Sequence, residues 1–111
     1  MTLNHEVRGQ DLVCRPEGDF DESTGPGIAA AAAAPESASV RAVILDMGAT
    51  TYISSSGVAA LLKLQADLAA GKRALSLAAP SPLVRRILYQ AGVSTAVPIH
   101  LTVEEACRKR A

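Results

Sequence analysis

With 111 residues, eleven basic and eleven acidic side chains and no net charge, the chain has the length of one domain and no overall field to draw it to nucleic acid or an anionic membrane. Its core must be aliphatic, because there is no tryptophan, one phenylalanine (Phe20) and two tyrosines (Tyr52 and Tyr89). The two cysteines, Cys14 and Cys107, belong to no CxxC pair or histidine-rich spacing, which argues against zinc and suits buried thiols in a reducing cytosol.

The first residues carry no basic stretch followed by an apolar run, so no secretion signal is expected, and the alanine-rich run at 28–34 is too short to span a bilayer. A soluble, cytoplasmic protein of one domain over 1–111 is the expectation. "LNHEV" (3–7) and "DLVCRP" (11–16), separated by Arg8, Gly9 and Gln10, predict a β-hairpin. The acidic, turn-rich "EGDFDESTGPG" (17–27) leads into a helix over the alanine run, with Asp21 as candidate cap, Thr24 three positions on, and Pro35 as the stop. "ESAS" reads as a loop. "VRAVILDM" (40–47) is nearly continuous and β-branched, the pattern of a central strand covered on both faces.

Apolar residues at 58, 61, 62, 64 and 68 then recur at helical spacing up to Gly71. "ALSLAA" (74–79) predicts a strand. "SPLVRRILYQAG" (81–92) predicts a helix with Ser81 as N-cap, Pro82 at its first position and Gly92 past its end. "TAVPI" (95–99) reads as a short strand limited by its proline, and Thr102 with Glu105 forms a capping-box pattern for a last helix. Strands alternating with short helices mean an α/β fold: a mixed central β-sheet of about five strands with about four helices.

Catalysis finds little support. His5 and His100 have no nucleophile beside them, "ISSSG" lacks the first glycine of a nucleophile elbow, and no phosphate-cradling GxxxxGK[ST] or GxGxxG is present. No catalytic residue, metal ligand or cofactor is expected. The carboxylates Glu17, Asp19, Asp21 and Glu22 read most simply as a solvated loop with one helix cap.

The stretch that stands out is "TTYISSSGVAALLKL" (51–65), in which Ser54, Ser55, Ser56 and Gly57 interrupt an apolar chain where a loop meets a helix. The first turn of a helix has unsatisfied backbone N–H groups, so a serine there is a useful cap. The same place suits a phosphate, whose charge of about −1.5 to −2 would lie at the positive end of the helix dipole. Such a mark would turn a neutral surface dianionic and abolish a complex whose partner presents carboxylates. The residues alone leave both readings open.

At these residues the chain resembles a known family. "VILDMGATTYISSSGVAALL" is similar to the core motif of STAS domains, the sulfate-transporter and anti-sigma-factor-antagonist family, and the likeness continues through "GKRALSLAAPSPLVRRILYQAGVSTAVPIHLTVEEA". Upstream, "GDFD" (18–21) resembles the family's motif at the end of the second strand. The resemblance implies a STAS fold and, for a stand-alone domain, the role of an anti-sigma factor antagonist in transcription regulation by partner switching. Unmodified, such a domain binds an anti-sigma factor of the GHKL serine-kinase type and frees a sigma factor. The kinase then phosphorylates a serine, and a PP2C-type phosphatase reverses the mark. Aligned on Gly57, the phosphorylated position falls on Ser55, with Ser54 and Ser56 as alternatives, and the family's aspartate falls on Ser54, a departure that also leaves open that the domain is not regulated this way. The implied partner surface comprises Asp19, Asp21, Thr24, Ser54, Ser55, Ser56, Gly57, Val58 and Leu61. No direct contact with nucleic acid or membrane is implied, and a monomer or weak dimer is expected. The alternative is a STAS scaffold or subunit of a larger assembly, stressosome-like or part of a lipid-transport ABC complex. A nucleotide-binding role has no phosphate loop to support it.

Overall fold

The computed structural model describes residues 3–109. The first two apolar runs form the expected antiparallel hairpin: β1 (Leu3–Arg8) and β2 (Asp11–Pro16) pair from Leu3 opposite Pro16 to Arg8 opposite Asp11, with Gly9 taking the turn at φ 61°. β4 (Ala42–Asp46) lies parallel between β2 and β6 (Ala74–Ala78), and β7 (Ile99–His100) completes a mixed five-stranded sheet in the order β1-β2-β4-β6-β7. Coverage on both faces is the reason the sequence of β4 is aliphatic throughout.

Among the described residues four α-helices cover the sheet: α1 (Thr24–Ala33), α2 (Ser55–Ala70), α3 (Pro82–Gln90) and α4 (Val103–Lys109). Alternation along the strands separates two cores. On one face Leu12, Cys14, Val43, Leu45, Leu75 and Leu77 pack with Ile28 of α1, Leu61, Leu64 and Leu68 of α2, and Val84 and Leu88 of α3. On the other, Val13, Ile44 and Ala78 meet Val103 and Ala106 of α4, with Cys107 partly buried beside them. Among the described residues no helix is long and apolar enough to cross a membrane.

Local caps follow the sequence signals closely. Ser81 Oγ accepts from Val84 N at 3.3 Å, Gly92 takes φ 78° just past α3, and Thr102 Oγ1 accepts from Glu105 N at 3.0 Å. Several segments differ from the sequence expectation. β3 (Gly18–Phe20) and β5 (Thr50–Ile53), which read as turn and loop, form a separate two-stranded parallel sheet. Their pairing is fixed by long-range bonds, Gly18 N to Ala49 O at 3.0 Å and Thr50 Oγ1 to Pro16 O at 3.0 Å, which leave no local periodicity to read.

Of the expected strand at 95–99, Thr95 closes a 3₁₀ turn (Val93–Thr95), 96–98 are irregular, and only Ile99, with His100 beyond it, pairs with β6, because Pro98 has no N–H to donate and serves only as an acceptor, from Leu77 N at 2.9 Å. A 3₁₀ turn (Pro35–Ser37) likewise runs into "ESAS" (36–39), held by Arg73, which donates to Ala32 O at 2.6 Å and Ser37 O at 2.9 Å. The proposed cap of α1 also shifts. Asp21 Oδ1 accepts from Ser23 N at 2.9 Å, two residues ahead of the capping position, and Ser23 at that position makes no side-chain cap bond. Pro26 is tolerated because it lies in the first turn, where N–H groups have no helical partner.

Candidate functional site

Residues 50–57 carry the chain from β5 into α2, and the turn is built against the end of β3. Ser54 N donates to Phe20 O at 3.1 Å, while Ser54 itself is extended (φ −82°, ψ 169°), so its side chain can fold over the first turn of α2. Ser54 Oγ accepts from Gly57 N at 3.0 Å, an N-cap worth about 1 kcal/mol. Gly57 is required by close approach: a Cβ there would overlap the Phe20 carbonyl and lie 3.1 Å from Ile53 Cγ1. The absence of a side chain at 57 is what presses the helix start onto β3 and so onto the loop that follows it.

The three serines have three different environments. Ser54 is half-buried and capping. Ser56 is exposed, and its hydroxyl donates to Glu22 Oε2 at 2.7 Å and lies 2.9 Å from Ser54 Oγ. Ser55 is exposed at the first helical position and, among the described residues, its hydroxyl makes no hydrogen bond. A dangling hydroxyl thus stands between two that are engaged, at the positive end of a 16-residue helix.

The loop opposite is acidic. Asp19 is exposed on β3, where it accepts from Thr51 Oγ1 at 3.4 Å. Asp21 accepts from both the backbone N and, at 2.6 Å, the hydroxyl of Ser23, and these bonds hold its carboxyl below the usual range. The Ser56 hydroxyl does the same for Glu22, against the opposing push of the nearby Asp21 charge. Both carboxylates are therefore ionised at neutral pH, and the triplet faces a negatively charged loop.

Of the residues singled out in the sequence, the exposed Asp19, the half-buried Asp21, and Ser54, Ser55 and Ser56 lie where the end of β3 and its following loop meet the start of α2. This surface is joined by the bonds from Ser54 N to Phe20 O and from Ser56 to Glu22, whereas the half-buried Val58 packs against the core. Thr24, Gly57 and Leu61 do not belong to the surface as contacts. Thr24 is 1% exposed, with its hydroxyl accepting from Asp21 N at 3.1 Å, and Leu61 is fully buried in the core. They support the surface from below: Thr24 holds the loop, Gly57 permits the close approach and Leu61 anchors α2. Glu22 is the residue that sequence reasoning missed. It looked like one more solvated acid, and only the excess of hydroxyls 34 positions away, at Ser56, hinted at a partner. Beside it runs a groove of about 570 Å³ between α1 and α2, with Gly25, Pro26, Ala29, Ala59 and Ala60 among its lining.

The family model for the STAS domain matches residues 2–106. The chain belongs to the STAS domain family. Among curated proteins, none matches it in sequence. Solved structures match it in fold. The anti-sigma factor antagonist SpoIIAA in its unphosphorylated form is 26% identical, with a TM-score of 0.75 over 96% of this chain and 93% of that one. The Bacillus cell fate determinant SpoIIAA in the phosphorylated form is 25% identical, with a TM-score of 0.68 over 99% and 100%. An anti-sigma factor antagonist from Mycobacterium paratuberculosis shares the fold at 23% identity, with a TM-score of 0.78 over 96% and 91%. The STAS domain of a SulP transporter from Vibrio cholerae shares it too, at 15% identity and a TM-score of 0.74 over 91% and 80%.

Proposed function

We propose that this STAS domain is an anti-sigma factor antagonist whose binding surface is the start of α2 and the loop at 19–25, and that phosphorylation of Ser55 switches it off. The observation that carries this reading is the free, exposed Ser55 hydroxyl between two engaged neighbours at a helix N-terminus. Likeness at 26% identity to an antagonist solved both without and with phosphate supports it. The partner is an anti-sigma factor of the GHKL serine-kinase type, with a PP2C-type phosphatase restoring the unmodified form.

The chemistry favours Ser55 over its neighbours. Phosphate on Ser54 would crowd a half-buried cap whose oxygen accepts from Gly57 N and lies 3.5 Å from the Phe20 carbonyl oxygen, and phosphate on Ser56 would place a dianion against the Glu22 carboxylate. On Ser55 a phosphate gains the helix dipole without breaking either bond. The added charge of about −2, beside Asp19, Asp21 and Glu22, is the switch: a partner docked on this face must then meet a strongly anionic patch. Incubating the protein with its kinase and ATP and mapping phosphate by mass spectrometry tests the reading. Phosphate on Ser55 is the expected result, and none on residues 54–56, together with no stable kinase complex, rejects it.

A further inference from the structure

The hydrogen bonds around the triplet have only one consistent direction. Ser56 has a single hydroxyl proton, and at 2.7 Å it goes to Glu22 Oε2, because an ionised carboxylate can only accept. The 2.9 Å contact between Ser54 and Ser56 must then be donated by Ser54. That leaves the Ser54 oxygen to accept from Gly57 N at 3.0 Å, with the more distant Phe20 O, at 3.5 Å, receiving no proton from it. The result is a directed chain from Gly57 N–H through Ser54 and Ser56 to Glu22, in which each bond polarises the next. Ser55 alone is outside it.

We infer that Glu22 is the positioning carboxylate of the serine triplet, which orders the Ser54 and Ser56 hydroxyls into this chain and leaves Ser55 as the hydroxyl available to a kinase. The acceptor role of Ser55 rests on the partner-switch reading; the ordering by Glu22 does not. In the transfer itself the bond between the γ-phosphorus of ATP and its bridging oxygen breaks, the Ser55 Oγ–P bond forms, ADP leaves and the serine proton passes to a base of the kinase. Glu22 takes no part in those bond changes. It holds the Ser56 oxygen in two hydrogen bonds and directly against its own negative charge, so that an approaching triphosphate is repelled there and meets Ser55 instead. The lowered pKa of Glu22 accords with this, since it stays ionised and accepting throughout the physiological range.

Two measurements test the inference. The first needs no kinase: the Gly57 amide proton is followed by NMR against pH in the unaltered protein and in Glu22→Gln. The other charged groups near Glu22 are Asp21 on its own loop and Lys63 and Asp67 farther along α2, which pair with each other. In the unaltered protein the Gly57 resonance should titrate with a midpoint below the ordinary glutamate value of about 4.3. In Glu22→Gln that titration should be lost while the Ser23 amide, bonded to Asp21, still moves. A Gly57 titration that is absent from the unaltered protein, or that survives Glu22→Gln, overturns the ordering role.

The second measurement maps phosphate after reaction with kinase and ATP. Glu22→Ala should divide the phosphate between Ser55 and Ser56. Ser55→Ala should abolish modification, and the double variant should regain it on Ser56. Phosphate that remains confined to Ser55 in Glu22→Ala overturns the selective role. No phosphate on residues 54–56 of the unaltered protein overturns the acceptor role together with the partner-switch reading, and the Gly57 titration then still decides whether Glu22 orders the triplet.

Discussion

Replacing Gly57 with alanine probes the contact that builds the site. The added Cβ would overlap the Phe20 carbonyl carbon and oxygen and crowd Ile53 Cγ1 at 3.1 Å, so the obstruction on its tightest side is backbone and cannot rotate away. Either the first turn of α2 lifts or the end of β3 moves. Overpacking of this kind costs about 1–3 kcal/mol. Lifting the turn also weakens the 3.1 Å bond from Ser54 N to Phe20 O, worth about 1 kcal/mol, while the better helix propensity of alanine returns up to about 1 kcal/mol. The net loss is about 1–3 kcal/mol, or roughly 4–12 °C in melting temperature at this chain length.

Urea unfolding followed by far-UV circular dichroism, with linear extrapolation, measures it directly. Gly25→Ala is the matched control, because its Cβ would meet Ala60 Cβ at 3.4 Å, an ordinary contact, and the substitution should be neutral or slightly stabilising. A Gly57→Ala protein with an unchanged unfolding midpoint would refute the claim that close approach at 57 fixes the start of α2.

Ser54→Ala should cost about 0.5–2 kcal/mol through loss of the cap, with Ser54→Asp recovering most of it, as read by the same unfolding curves. Arg73→Met should cost about 2 kcal/mol, because two carbonyls, Ala32 O and Ser37 O, lose a charged donor; Arg73→Lys should recover only part, since an ammonium lacks the fork that reaches both. Burial pushes the Cys14 thiol up to about 12, whereas an unfolded cysteine ionises near about 8.5. Above that lower value the unfolded chain loses a proton the native chain keeps, so stability falls as pH rises between the two. The unfolding free energy of the unaltered protein minus that of Cys14→Val should therefore decrease as pH rises through this window. A pH-independent difference would show that Cys14 is not held protonated in the fold.

The sheet and helices were legible in the sequence where burial imposes a period. β4 reads as a buried parallel strand because both its faces are covered, and α2 and α3 show their stripes because one face of each meets the same core. Ser81, Gly92 and Thr102 act locally, so their capping roles could be read directly. β3 and β5 could not be, since their partners lie some 30 residues away and each strand is too short for alternation to register. The same reasoning divides the site. The cap at Ser54 was legible because a helix start announces itself locally, and the family resemblance is what proposes Ser55 as the acceptor. Glu22 was not, because its significance is a hydrogen bond across 34 positions, visible only once Gly57 has brought α2 against the end of β3.

The central claim is that one hydroxyl governs a protein–protein contact. The most direct test is isothermal titration of the purified domain against the proposed anti-sigma factor kinase, before and after stoichiometric phosphorylation, with Ser55→Ala alongside. The account predicts tight binding by the unmodified protein and by Ser55→Ala. It predicts a loss of about 100-fold or more, near 2.7 kcal/mol, once Ser55 carries phosphate. Equal affinity of the modified and unmodified forms, or the same loss on phosphorylating a Ser55→Ala protein, would contradict it.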